Sequence, residues 1–336
     1  MKHGNIAIFV PHMGCPNQCS FCNQHLISGT QTPPTPNDVH QICTQVLEDV
    51  PSDQKQIEIA FFGGSFTAID RGYMTDLLQA ASAYLGNGRF SGIRISTRPD
   101  AIDREILSIL KHYGVTAIEL GAQSMDDTVL QKNRRGHTAA DVERASDLIR
   151  RCGFSLGLQM MVGLYGDSKE RLYQTAERLI ACEPDTMRIY PTVILQGTHL
   201  AELYLTGKYV PMTLKDAVAV CTDLLIQFTK AGIRVIRLGL HDSPELIQNC
   251  IGGLYHPAFR ELCESRIYYQ KALAALQAQS LRHCLLLVHP REISKMIGQS
   301  RSNITALQEA GYTVKVMPDP DLIPYEVLIQ PIEREV

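Results

Sequence analysis

The chain has 336 residues, 45% of them hydrophobic, enough for one large core or for a large domain with a small one. Its formal net charge of −3 excludes the global basic field of a general nucleic-acid binder and leaves room only for a local basic patch. Ten cysteines in so long a chain are no disulfide scaffold, no apolar run is long enough to span a bilayer, and Met1-Lys2-His3-Gly4 leads into the first strand with no signal peptide, so a cytoplasmic protein without a membrane partner is expected.

From the amino terminus, short apolar and β-branched runs alternate with longer stretches of helical period. Strands are predicted at 6–10, 57–62, 92–97, 117–121, 155–162, 187–193 and 234–238, and helices at 36–50, 72–85, 103–113, 139–152, 169–182 and 214–231. Asn37 and Asp103 stand where N-caps are expected. Gly114, Gly153 and Gly232 follow helices where a left-handed C′ residue is expected. Regular β-α alternation implies a parallel sheet with right-handed crossovers. Six βα repeats fall short of a full barrel, so the expected fold is α/β: an open, partial (β/α)6 TIM-like barrel over residues 1–265. In such barrels the chemistry gathers at the carboxyl ends of the strands.

The strand ends carry the polar motifs. The first strand runs into Gly14-Cys15-Pro16-Asn17-Gln18-Cys19-Ser20-Phe21-Cys22, a CxxxCxxC spacing that puts three thiolates on one tight loop. Three ligands are one short of a closed structural zinc site and suit a [4Fe–4S] cluster with one iron left open to a small chelating molecule. A zinc site completed by His12 or His25, or three unrelated core thiols, is the alternative reading of the spacing. The second strand ends in Gly63-Gly64-Ser65, where the backbone is able to approach a ligand closely; an ordinary βα turn has the same composition. The third ends in Ser96-Thr97-Arg98-Pro99-Asp100. Arg98 is a candidate carboxylate clamp, and Ser96 or Thr97 a candidate donor to a ribose or carboxylate. The remaining seven cysteines are scattered without CxxC pairing and read as small buried hydrophobes.

With Phe21 before the last cysteine, the cysteine run resembles the signature of the radical S-adenosylmethionine (radical SAM) superfamily. The resemblance implies a [4Fe–4S] cluster on Cys15, Cys19 and Cys22 and S-adenosyl-L-methionine chelated to the open iron. It implies an enzyme that cleaves this cofactor reductively to a 5′-deoxyadenosyl radical, with a reductase or a flavodoxin- or ferredoxin-type protein as electron donor. Cofactor contacts follow at Phe21, Gly63, Gly64, Ser65, Ser96, Arg98, Gln123, Arg135 and Gln159.

The inner motifs narrow the likeness. Thr97-Arg98-Pro99-Asp100, Glu119-Leu120-Gly121-Ala122-Gln123-Ser124, Arg135-Gly136-His137-Thr138, Tyr190-Pro191-Thr192, Gly197-Thr198 and His256-Pro257 resemble the radical SAM domain of the Elongator catalytic subunit, which modifies wobble uridine in transfer RNA. The likeness covers roughly residues 5 to 265, and oxygen-independent coproporphyrinogen oxidases share part of it. Three features depart from that group, the first being that its eukaryotic members space the cysteines more widely than CxxxCxxC. Too few residues follow the barrel to form its acetyltransferase domain, and its basic amino-terminal segment is missing, so radical chemistry is expected here and carboxymethylation of uridine is not.

Residues 266–336 are expected to form a small α/β domain. A helix to 279, a strand at 284–288, a helical stretch at 290–297, the loop Gly298-Gln299-Ser300-Arg301, a helix at 302–310 and strands at 312–317 and 325–330 give an order resembling a KH-type RNA-binding core. Arg301 replaces the second glycine of the GxxG clamp, while Arg291 and Lys295 add positive charge. A cap that merely closes the barrel's open side is the alternative.

The expected function is therefore radical SAM chemistry on a nucleoside in RNA, transfer RNA first. The alternatives are a radical SAM enzyme for a small metabolite or tetrapyrrole, and a non-catalytic, cluster-containing RNA-binding protein. Tyr190, Cys250 and His256 are candidates for substrate chemistry.

Overall fold

The computed structural model describes residues 4–11, 13–15, 19–23, 32–49, 57–86, 88–240, 243–279 and 281–332. Two compact units emerge, one of residues 1–212 with 227–255 and one of residues 213–226 with 256–336. The second unit thus begins before the boundary at 265 read from the sequence, and it includes a stretch of the helix Leu214–Lys230.

The first unit is built on β1 (Gly4–Val10), β2 (Ile57–Gly63), β3 (Phe90–Thr97), β4 (Val115–Gln123), β5 (Ser155–Val162), β6 (Thr186–Pro191) and β8 (Arg234–Leu238). They form one sheet in the order β1-β2-β3-β4-β5-β6-β8, parallel at every step. Helices join each strand to the next, as the alternation predicts. On one face of the sheet Ile59, Ile93, Ile95, Ile118, Leu120, Leu156, Leu158, Met187 and Ile189 are buried to 0% exposure, which is the apolar side that receives the helices. Side chains alternate along a strand, so Glu58, Arg94, Glu119, Gln159 and Arg188 share the opposite face. That face is concave. The Arg188 guanidinium lies 5.2 Å from the Phe62 ring, although β6 and β2 stand four steps apart, roughly 19 Å in a flat sheet. The sheet is a partial TIM-like barrel.

Cap chemistry sets the helix ends. Asp103 accepts from Ile106 N at 2.8 Å, as expected. Asn37 does not cap its helix. Pro36 is already the first helical residue, and Thr35 and Asp38 bond each other reciprocally instead, with Thr35 Oγ1 accepting from Asp38 N at 3.2 Å and Asp38 Oδ2 from Thr35 N at 2.7 Å. Gly114, Gly153 and Gly232 adopt φ of 79°, 74° and 77° behind their helices.

The stretch read as one strand over 187–193 divides. β6 stops at Pro191, and Val193–Leu195 (β7) pairs antiparallel with Cys250–Gly253 (β9), a ribbon the sequence pattern did not show. A register shift between Met187 and Arg188 leaves Ile236 as an extra residue in β8.

The second unit carries the helix Phe259–Gln279 and a sheet ordered β11-β10-β12, from Thr313–Pro318, His283–Val288 and Leu328–Pro331. β10 runs parallel to β11 and antiparallel to β12. The helices Ile293–Ile297 and Ser302–Glu309 flank the loop 298–301, and Tyr268, Leu276, Leu286, Val288, Met296 and Leu307 form the core.

Candidate active site

The cysteine loop leaves the carboxyl end of β1 and is pinned from several sides. Ser20 is fully buried; its Oγ donates to Asn133 Oδ1 at 2.8 Å, its N–H to Asn133 O at 3.1 Å, and its carbonyl accepts from Leu200 N at 2.7 Å. Phe21 packs on the apolar cluster of Ile194, Leu200, Leu203 and Tyr209, which anchors the loop between the last two cysteines. Cys22 N bonds Cys19 O at 3.1 Å, and Cys15 Sγ lies 3.7 Å from Ser65 Oγ. Burial pushes the Cys22 thiol up to about 12, and Cys19 and Cys15 add to the rise, so the three sulfurs share one neighbourhood. His12 and His25 lie outside the described residues.

The double glycine of β2 is a seat for this loop. A Cβ on Gly64 would stand 2.1 Å from Met13 O and 2.9 Å from Val10 O, and one on Gly14 2.4 Å from Ser65 O. Gly64 N donates to Val10 O at 2.7 Å and Ser65 N to Met13 O at 3.0 Å, so these two N–H groups hold the loop. Arg98 does the same from β3. Its Nη1 donates to Gly14 O at 3.0 Å, while Nε and Nη2 form a fork on Asp100 at 3.0 and 2.9 Å. The carboxylate it holds is the chain's own. Thr97 Oγ1 is engaged with Thr67 Oγ1 at 2.7 Å, which leaves Ser96 as the polar group of this strand end on the concave side.

Arg135 reaches the cysteines from the far side. It donates from Nη1 to Cys19 Sγ at 3.1 Å and from Nη2 to Gly121 O at 2.7 Å. Gln123 ends β4 with a left-handed φ of 65° and lies against the same residue, since a Cβ on Gly121 would meet Gln123 Nε2 at 2.8 Å and Arg135 Nη2 at 3.5 Å. Gln123 Oε1 and Arg135 Nε are buried without a hydrogen-bond partner among the described residues. Two orphaned polar atoms beside three thiols mark a place built to receive a polar ligand. His137 sits behind them with Nε2 3.1 Å from Ala122 O; burial, then the Arg135 charge, pushes its pKa down to about 4, so the ring is neutral there.

A buried row of charges crosses the concave face. Arg94 pairs with Glu58 at 2.8 Å and with Glu119 at 3.3 Å. Glu119, 1% exposed, also takes Arg188 at 2.6 Å and Gln159 Nε2 at 2.9 Å. Gln159 Nε2 is 3.4 Å from Ser96 Oγ, so these two expected contacts stand together. Arg188 Nη1 lies 3.5 Å from Tyr190 Oη. Burial disfavours the Arg188 charge, but Tyr190 and Glu119 outweigh it and raise its pKa. Sequence reasoning left Glu58, Arg94 and Arg188 unassigned. Their signal is one charge in each of several strands otherwise made of apolar and small residues. Asn133, which pins Ser20, was also missed. Cys250 lies on β9 with Sγ 3.3 Å from Gly252 O, and His256 Nδ1 accepts from Ala258 N within the second unit.

An open parallel barrel with thiols and orphaned polar atoms at its strand ends is the architecture of an α/β-barrel enzyme. The chain belongs to the radical SAM superfamily, whose model matches residues 9–179, with the radical SAM C-terminal domain matching residues 184–269. It is 26% identical over 240 residues to the tRNA uridine(34) acetyltransferase of Dehalococcoides mccartyi, covering 61% of this chain and 52% of that protein. It is 32% identical over 247 residues to Elongator complex protein 3 of Danio rerio, covering 66% of this chain and 43% of the relative. The match thus spans about half the length of these curated relatives. Among solved structures, the archaeal Elp3 of Methanocaldococcus infernus superposes with a TM-score of 0.62 at 21% identity, over 84% of this chain and 65% of that one, a likeness of fold. Superfamily membership implies a [4Fe–4S] cluster and S-adenosylmethionine. No helix among the described residues is long and apolar enough to cross a membrane.

Proposed function

We propose that Cys15, Cys19 and Cys22 hold a [4Fe–4S] cluster, that S-adenosylmethionine binds beside it, and that the radical so produced acts on a nucleoside in transfer RNA. No three His, Cys, Asp or Glu side chains among the described residues are arranged for a single metal ion. The observation that carries the reading is the pairing of Arg135 with Cys19 beside the unpartnered Gln123 Oε1. When bound, the cluster supplies one electron to the sulfonium. The chain's part is to bind and orient. Arg135 lends positive charge to a thiolate, Gln123 Oε1 accepts from an amine or hydroxyl, Ser96 and Gln159 offer hydrogen bonds from the barrel wall, and Phe21 and Gly64 keep the loop rigid.

The names of the relatives support RNA as the substrate class, and the loop 298–301 of the second unit is a candidate contact to it. A reductase or a flavodoxin- or ferredoxin-type protein is the natural electron source, and ten unpaired cysteines suit a reducing cytoplasm. The test is 5′-deoxyadenosine formation by anaerobically reconstituted protein with dithionite, with and without transfer RNA. Product is expected from the parent chain, none from Cys19→Ala, and more when transfer RNA is added. No product from a fully loaded cluster under both conditions refutes the reading.

A further inference from the structure

The concave row of charges does not balance. Among the described residues, its buried and half-buried carboxylates are Glu58 and Glu119, and its buried and half-buried guanidiniums Arg94, Arg188 and Arg237. Arg94 and Arg188 are paired. Arg237 is half-buried, and no described carboxylate forms an ion pair with it.

Its position follows from the irregularity between β6 and β8. Met187 is opposite Val235 and Arg188 is opposite Arg237, with Ile236 bulged out of the pairing. Without that extra residue, Ile236 would stand beside Arg188 and Arg237 would turn to the helix side. The bulge re-aims one side chain, a common use of bulges next to functional sites. The result is two arginines in direct register on one face, an arrangement that repels unless an anion lies between them. The Arg237 charge reaches Tyr190, which already accepts from Arg188 and retains its O–H as a donor.

We propose that Arg237, the Tyr190 hydroxyl and the outer nitrogen of Arg188 form an oxyanion subsite in the barrel, filled by a phosphate or carboxylate of the substrate. It deepens the proposed function and rests on it for the word substrate. The subsite belongs to β6 and β8, and S-adenosylhomocysteine binding, measured below, tells its anion apart from any group held at the cysteines. A guanidinium fork with a phenol recognises a planar or tetrahedral oxyanion and holds it far more strongly than a neutral sugar.

The experiment uses the full chain and three probes: uridine 5′-monophosphate, uridine and acetate, titrated by calorimetry into the parent and Arg237→Gln. The monophosphate or acetate should bind the parent, uridine should bind much more weakly, and the substitution should weaken anion binding by at least about tenfold. Preference for the monophosphate identifies a nucleotide phosphate as the source, and preference for acetate a carboxylate. Melting without ligand gives a second reading: Arg237→Gln should melt no lower than the parent, because it removes one of two adjacent like charges. Equal affinity in both proteins, failure of both anions to bind the parent, or a lower melting temperature in the variant overturns the subsite. Loss of S-adenosylhomocysteine binding in Arg237→Gln overturns it too, by giving the arginine to the cofactor. Cofactor cleavage measured in parallel separates the two claims. Arg237-dependent anion binding without any cleavage leaves the subsite standing while the radical reading falls.

Discussion

Arg98 donates to the carbonyl of Gly14 at 3.0 Å, so the end of the third strand grips the first turn of the cysteine loop. The rest of the guanidinium is braced on Asp100. Replacing Arg98 by Ala removes a charge-assisted bond and frees the loop, at a cost of about 1.5–3 kcal/mol. Iron and sulfide per chain after anaerobic reconstitution should fall by more than half, and Arg98→Lys, which has no fork, should fall between. Full iron content in Arg98→Ala would show that the loop needs no such brace.

Gly64 faces two backbone oxygens that cannot swing aside. Gly64→Ala should lose about 1–3 kcal/mol of stability and fail to load iron. Gly4→Ala, on the same first strand pair with nothing within 4 Å of the new methyl, should do neither. Urea unfolding midpoints with iron assays check both.

Asp167 and His137 give stability opposite pH dependences. Burial pushes the Asp167 carboxyl up to about 7, with Asp126 adding to the rise while the Ser168 N–H and Arg171 oppose it. A carboxyl raised on folding contributes stability that is full below its ordinary value near 3.9 and lost as pH rises through 7. Asp167→Asn should therefore gain on the order of 1–2 kcal/mol at pH 8, discounted for partial exposure, and nothing at pH 4. His137, held down to about 4, contributes stability present above its ordinary 6.5 and lost as pH falls towards 4. With Asp167 gone, that acid-side loss should stand out in melting curves between pH 7 and 4. A parallel shift of parent and variant across the whole range would remove burial as the cause.

The loop of the second unit holds Ser300 and Arg301 at φ of 51° and 63°, both left-handed. Arg301 occupies the place of a glycine in a GxxG loop and takes the backbone conformation a glycine would. Arg301→Gly should raise stability by about 1 kcal/mol. If the side chain is kept there for phosphate, the same variant binds transfer RNA more weakly and with a shallower salt dependence. Stability gained with RNA affinity unchanged would remove Arg301 from the contact.

The barrel was legible because its signals are local. The alternation of short apolar runs with helical period gave the strands, Gly114, Gly153 and Gly232 marked helix ends, and the CxxxCxxC spacing lies within eight residues. The brace around the site was not legible, because it is made across distance. Asn133 meets Ser20, and Arg135 meets Cys19, only after the strands have been laid side by side. The same holds for the glycines. Gly63 and Gly64 read as a ligand cradle in one dimension, and only the fold adds that Gly64 gives room to the carbonyls of Val10 and Met13. The ribbon of β7 and β9 escaped notice because its partners are far apart in sequence and only three and four residues long. The bulge at Ile236 escaped because a run of five residues reads as a regular strand whether or not one residue is out of phase.

The row from Glu58 to Arg188 has a further consequence, for folding fidelity. Parallel strands made only of Ile, Leu and Val would bury nearly as much apolar surface after slipping two residues along a neighbour, since the facing pattern would be kept. With Glu58, Arg94, Glu119 and Arg188 one to a strand, any such slip strands a charge in the interior with no counterion. The charged strands thus check one another's alignment, and misaligned sheets are penalised before the cysteine loop has anything to bind.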